Sequence, residues 1–131
     1  MCGIFGGHPD LLIDDAERVL LHRGPNQQGR HELKDRRGAT MIMGMTRLSI
    51  VDRREMPIPF SAHGAWIVYN GEIYNWRDIR AKLEAAGIRF ETQTDTEVVL
   101  HAYLHWGPAC LERFNGMFSV AVWREIGRAH V

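Results

Sequence analysis

The sequence predicts an α+β fold in one domain, because its β-compatible and helical segments are mixed and strand runs neighbour one another instead of alternating strictly with helices. The chain opens on a strand. Its 131 residues are enough to bury about two-thirds of the unfolded surface in a single core.

Residues 4–7 form a short apolar strand that His8-Pro9 interrupts. Residues 11–21 then read as a helix with Leu12, Ala16, Val19 and Leu20 on one face. Residues 22–29, His-Arg-Gly-Pro-Asn-Gln-Gln-Gly, are a polar loop in which His22 is a candidate for ordering the backbone, and residues 39–45 resume a β-compatible run. Arg47-Leu48-Ser49-Ile50-Val51 alternates like a strand end with a polar side open to a ligand. Residues 52–64, with Pro57 and Pro59, read as a loop before the strand 66–69. Asn75 is placed to cap a helix carrying Trp76, Ile79, Leu83 and Ala86, which Gly87 ends. Residues 88–93 read as a short strand. Thr94-Asp95-Thr96-Glu97 is a capping box, so a second long helix starts at Asp95 and buries Val98, Val99, Ala102, Tyr103 and Trp106. Residues 108–113 add a helical turn or two, and 117–123 are expected to be a strand buried on both faces.

Sixteen basic and sixteen acidic residues cancel, so no field favours nucleic acid. No apolar run approaches the roughly 20 residues of a membrane helix, and no basic segment followed by an apolar core marks a secretory leader, so a cytoplasmic protein is expected. Neither Cys2 nor Cys110 is expected to be bridged, and Cys110 reads as core.

Cys2 becomes the N-terminal residue once Met1 is removed. A terminal cysteine carries its own base, because a free α-amino group with a pKa of about 7.7 to 8.0 can take the thiol proton near neutrality. The bland reading is a small packing residue. Asn70-Gly71 is either a hairpin turn or an oxyanion hole built from the Asn70 amide and the Gly71 N–H. Only four residues separate it from the next helix, which weakens the hairpin. Arg47 is a solvated arginine or a bidentate grip on a carboxylate, and Asp95 complements its helix or binds an ammonium group. Together an arginine and an acid would recognise an α-amino acid. Glu97, His101 and His105 have a spacing that can bind metal, but such stripes are commonly solvated faces, and no metal site is assigned.

In chain order, Met1-Cys2-Gly3-Ile4-Phe5-Gly6, His22-Arg23-Gly24-Pro25, Arg47-Leu48-Ser49-Ile50-Val51-Asp52, Tyr69-Asn70-Gly71-Glu72-Ile73-Tyr74-Asn75, Thr94-Asp95-Thr96-Glu97 and Phe114-Asn115-Gly116-Met117-Phe118 cover nearly the whole chain. This set resembles the class II glutamine amidotransferases, which are N-terminal-nucleophile hydrolases, and within them the glutamine-using asparagine synthetases. The Tyr69 to Asn75 block in particular resembles that branch. The resemblance implies an αββα sandwich, truncated at its C-terminal end. It also implies that Cys2 attacks the glutamine side-chain amide and passes through a γ-glutamyl thioester, while Asn70 and Gly71 hold the oxyanion. Arg47 would bind the substrate carboxylate, Glu72 and Asp95 its amine, and the backbone of Ile50 and Val51 would line the pocket. No cofactor is implied for this half, whereas ATP and magnesium are implied for a synthetase domain missing from the chain. Glutamine, that downstream domain and a second copy in a homodimer are the implied partners. Another acceptor, such as a cell-surface sugar or peptide, and a non-catalytic binding module of the same fold stay open as alternatives.

Asn26 stands where the family usually has Asp, Met45-Thr46 where a basic residue is common before Arg47, and Pro57-Ile58-Pro59 replaces a Gln-Pro-Met neighbourhood. Residues 1–124 are therefore expected to be an incomplete type 2 glutamine amidotransferase domain. Residues 125–131 are expected to be non-native, because Ile126-Gly127-Arg128-Ala129-His130-Val131 is what a common short-read sequencing adapter encodes in this frame.

Overall fold

A computed structural model describes residues 1–11, 13–49 and 56–125. Strand β1 (Gly3–Gly7) leads into helix α1 (Ile13–Leu20), then β2 (Gln27–Lys34) and β3 (Thr40–Arg47). Next come β4 (Phe60–Ala62), β5 (Ala65–Ile73), α2 (Trp76–Ala85), α3 (Asp95–Trp106), a 3-10 segment (Gly107–Arg113) and β6 (Gly116–Arg124). Two three-stranded antiparallel sheets result, ordered β1-β3-β2 and β4-β5-β6.

The layers follow from strand alternation. Met43 and Met45 of β3, Leu33 of β2 and Val68 of β5 point inward between the sheets, with Cys2 and Ile4 against them. The other face of β5 carries Ala65, Ile67, Tyr69 and Ile73 into a larger core with Ile79 and Leu83 of α2 and Val98, Val99 and Ala102 of α3. On the far side of the first sheet, α1 is tied down by Thr46, whose hydroxyl donates to the Leu20 carbonyl at 2.9 Å and accepts the Gly3 N–H at 3.2 Å. The order of layers is α1, sheet, sheet, α2 with α3, the αββα arrangement. Leu83 is fully buried, so truncating it to alanine should cost about 2–5 kcal/mol.

Several local expectations change. Gln27 to Gly29 belong to β2, which sequence pattern does not reveal because its inward positions are Gln27, Gly29 and His31, with Leu33 the one apolar residue among them. His31 serves as a hydrophobic cover instead, stacking on Trp66 at 3.6 Å between ring centroids. The return into β3 is an Asx turn in which Asp35 Oδ1 accepts the Arg37 and Ala39 N–H groups. Arg47 is the last residue of β3, as the expected strand end requires, and Leu48 and Ser49 lie just beyond it. The short β4 falls inside the expected loop, and its hairpin with β5 turns at His63-Gly64, both with positive φ (51° and 72°).

On α1, Ile13 is the buried residue and Val19 is 58% exposed, while Leu12 lies outside the described residues. Asn75 sits at the α2 N-cap position without capping it. Its side chain instead donates to Arg113 O (2.9 Å) and accepts Asn115 N–H (2.9 Å), latching α2 to the start of β6. Residues 88–93 are not a strand, because the fully buried Glu97 carboxylate takes the Glu91 and Thr92 N–H groups that a neighbouring strand would otherwise satisfy. Thr94 does cap α3, accepting Glu97 N–H at 3.3 Å, but the reciprocal half of the capping box is lost to this use of Glu97. β6 is buried on one face only. It pairs with β5 on one side, and Met117, Ser119 and Ala121, on the same face as Glu72, Asn70 and Val68 of β5, are exposed.

Candidate active site

A cavity of about 290 Å³ opens where the second residue, the end of β3, the second half of β5 and the first turn of α3 converge. Cys2, Arg47, Asn70, Gly71, Glu72 and Asp95 all line it. Ile50 and Val51, the other two expected substrate contacts, lie outside the described residues.

Cys2 is half-buried and Cys110 is buried in the core, and both are free thiols. The Leu48 N–H donates to Cys2 Sγ at 3.3 Å, and the Cys2 carbonyl accepts Arg23 Nε at 3.3 Å. Met1 is 71% exposed and also lines the cavity, so losing it would uncover the Cys2 nitrogen beside the thiol.

Arg47, the last residue of β3, is 7% exposed, and its Nη1 donates to Gln27 Oε1 at 3.2 Å. Gln27 is itself fixed, donating from Nε2 to the Met56 carbonyl. The 22–26 loop clamps the same strand end from the side. His22 Nδ1 bonds the Val19 carbonyl at 2.7 Å, Asn26 N–H donates to Arg47 O at 3.2 Å, and Asn26 Oδ1 accepts Ser49 N–H at 3.0 Å. An aspartate at position 26 could accept that same bond, so the departure there preserves the contact. Gly24 is required by this fit, since a Cβ would lie 2.2 Å from the Thr46 carbonyl carbon.

Asn70 and Gly71 sit inside β5, paired with Ser119 and Phe118 of β6, so the hairpin reading is wrong and the pair faces the cavity instead. Asn70 Oδ1 is buried with no hydrogen-bond partner among the described residues, and the side chain lines the cavity. Gly71 has φ of +153°, and a Cβ there would lie 2.2 Å from Met117 O. Glu72 is exposed at the rim.

Asp95 is 6% exposed at the start of α3. Its Oδ2 accepts the Tyr69 hydroxyl at 2.7 Å and the Ile73 N–H at 3.4 Å. Burial pushes its carboxyl above the usual aspartate range, opposed by the Tyr69 hydrogen bond and nearby amides. Tyr69 is pushed far up by burial and by the Asp95 charge, so it stays a neutral donor.

Sequence reasoning assigned no role to Arg23, Gln27, Thr46 or Tyr69. The His22–Pro25 and Tyr69–Asn75 blocks contain two of these, and that was the available signal. Glu97 is committed to the loop before α3 and to His101, 3.4 Å away, whereas His105 is exposed. Among the described residues no group of three His, Cys, Asp or Glu side chains could hold a metal.

The whole chain, residues 1–131, matches the glutamine amidotransferase domain family. This chain is a glutamine amidotransferase domain. It is similar to asparagine synthetases [glutamine-hydrolyzing] 1 and 3 of Bacillus subtilis, at 34% and 36% identity, with 95% of this chain aligned to 21% and 22% of those proteins. The glutamine-hydrolyzing asparagine synthetase 2 of Oryza sativa subsp. japonica is 31% identical, over 91% of this chain and 21% of its own. The amidotransferase domain thus spans about a fifth of the length of these relatives. Its fold resembles that of a glutamine phosphoribosylpyrophosphate amidotransferase from Bacillus subtilis solved with ADP and GMP. The TM-score is 0.60 at 18% identity, covering 95% of this chain and 35% of that one.

Proposed function

We propose that this domain hydrolyses glutamine to glutamate and ammonia with Cys2 as nucleophile. The observation that supports this best is the convergence of Cys2, Arg47, Asn70, Gly71 and Asp95 on one cavity. After Met1 is removed, the Cys2 thiol gives its proton to its own α-amino group, and sulfur attacks the side-chain amide carbon. The carbon–sulfur bond forms as the carbonyl electrons move onto oxygen, where Asn70 Nδ2–H and Gly71 N–H donate. Collapse of this intermediate breaks the carbon–nitrogen bond, and the terminal ammonium returns its proton to the leaving nitrogen, releasing ammonia. Water then adds to the thioester, losing a proton to the amine; the thiolate leaves, is reprotonated, and glutamate departs. Arg47 grips the substrate carboxylate, with Asp95 and Glu72 at its ammonium end.

The relatives' names support a destination for the ammonia: amidation of aspartate by an ATP- and magnesium-dependent domain downstream, giving asparagine. The full-length protein should release glutamate and ammonia one to one from glutamine, and hydroxylamine should trap the γ-glutamyl thioester as the hydroxamate. Cys2→Ala should do neither. Hydrolysis that survives Cys2→Ala would overturn the mechanism, and asparagine formation without aspartate dependence would overturn the acceptor.

A further inference from the structure

The most constrained polar contact in the cavity involves a residue outside the reacting set. Asp95 is a buried carboxylate that forms no ion pair among the described residues. A buried anion without a counter-charge is costly unless donors hold it, and the donors present here are neutral. Tyr69, 3% exposed, supplies the shortest of them, 2.7 Å to Oδ2. An O–H donor to a carboxylate at this distance is a charge-assisted bond, about twice as strong as a neutral pair. Ile73 N–H goes to the same oxygen, and the Asp95 and Thr96 amides at the start of α3 add further neutral donors. The phenol is a fixed donor, since burial and the neighbouring charge both oppose its ionisation.

Resting on the glutaminase reading above, we propose that Tyr69 is a positioning residue that holds Asp95 as an aimed carboxylate for the substrate's α-ammonium group. Tyr69 itself touches neither the amide nor the nucleophile. It is joined by one peptide bond to Asn70, so β5 sets both the oxyanion donor and the ammonium acceptor. A change in strand position would move recognition of the amino-acid end and stabilisation of the reacting end together. Phenylalanine at position 69 would fill the same space and leave Oδ2 with the longer Ile73 bond, removing the hydroxyl without opening the core.

The test compares L-glutamine with glutaramate, the same side-chain amide lacking the α-amino group, in the full-length wild type, Tyr69→Phe and Asp95→Asn. Tyr69→Phe should raise KM for L-glutamine roughly tenfold or more, the usual worth of a hydrogen bond to a charged group, with kcat changed far less. The same substitution should leave kcat/KM for glutaramate near the wild-type value. Asp95→Asn should erase most of the wild-type preference for glutamine over glutaramate. Equal losses on both substrates in Tyr69→Phe would show a structural role and overturn the proposal, as would no loss on glutamine. A wild-type protein that hydrolyses neither amide would instead overturn the glutaminase reading and this inference with it.

Discussion

The Leu48 N–H donates to Cys2 Sγ across 3.3 Å, tying the sulfur to the residue that follows Arg47. Forty-six positions apart in sequence, the proposed nucleophile and the residue that follows the proposed carboxylate anchor are thereby held in one register. Gly3 reinforces it by pairing with Thr46 across β1 and β3. Both ends of a bound glutamine would meet side chains fixed to the same strand pair.

The terminal amine is the base in this scheme, so blocking it should matter as much as removing sulfur. A version with an uncleavable N-terminal extension should be inactive, and one whose extension is cut to expose Cys2 should recover. Intact mass and ammonia release check this. Full activity with the extension in place would rule the amine out as base.

Arg47 is buried against Gln27, and a lysine cannot reproduce a two-pronged grip on a carboxylate. Arg47→Lys should weaken glutamine binding by about 1.5–3 kcal/mol, read as a higher KM. Gln27→Ala should produce a smaller effect of the same kind. Unchanged KM in both variants would argue that the carboxylate binds elsewhere.

Asn70 lines the cavity, and its amide oxygen is buried and unpartnered among the described residues. Asn70→Ala should raise the barrier by about 2.7–4 kcal/mol, seen in kcat more than in KM. A KM effect alone would place Asn70 in substrate binding instead of oxyanion stabilisation.

Gly71→Ala should damage the fold and the site together. The added carbon would fall 2.2 Å from Met117 O, at a φ of +153° that side chains rarely adopt, so β5 and β6 would have to separate. A loss of about 1–3 kcal/mol or more is expected from such overpacking. Denaturant melts measure it, and a neutral result would mean that β6 yields at no cost.

Glu97 ties stability to pH. Burial pushes its carboxyl up, but the His101 bond together with the Thr92 and Glu91 donors outweighs this and holds it below the usual glutamate range. A carboxyl depressed in the folded state stabilises above its unfolded pKa of about 4.3, and that contribution is lost as pH falls through the folded value. Asp95, raised by burial, runs the other way: its contribution is present below its unfolded pKa and lost as pH rises through the folded value. Glu97→Gln should therefore destabilise by about 1–3 kcal/mol at pH 7, and the gap to wild type should narrow in acid. A gap that stays constant from pH 7 to pH 3 would contradict the depressed carboxyl.

The spacing of apolar residues was enough to find α2 and α3, because their faces at Ile79, Leu83, Val98, Val99 and Ala102 have no other use than the core. Short motifs were enough to nominate Cys2, Arg47, Asn70, Gly71, Glu72 and Asp95. Each is a residue type chosen for reactivity, charge or backbone freedom, which survives as a letter in the sequence. β2 was hidden, since its inward side is filled by Gln27, Gly29 and His31 and its pairing with β3 depends on a partner, not on local pattern. The supposed strand at 88–93 failed for a related reason, since the Glu97 side chain took the hydrogen bonds a sheet would have made. Asn70-Gly71 shows the division most plainly. Sequence left a turn and an oxyanion hole both open, and only pairing with β6 kept the two residues in a strand facing the cavity. Tyr69 and Gln27 acquired roles only from the fold, because a positioning residue is defined by the atom it holds, and that atom lies 26 or 20 residues away along the chain.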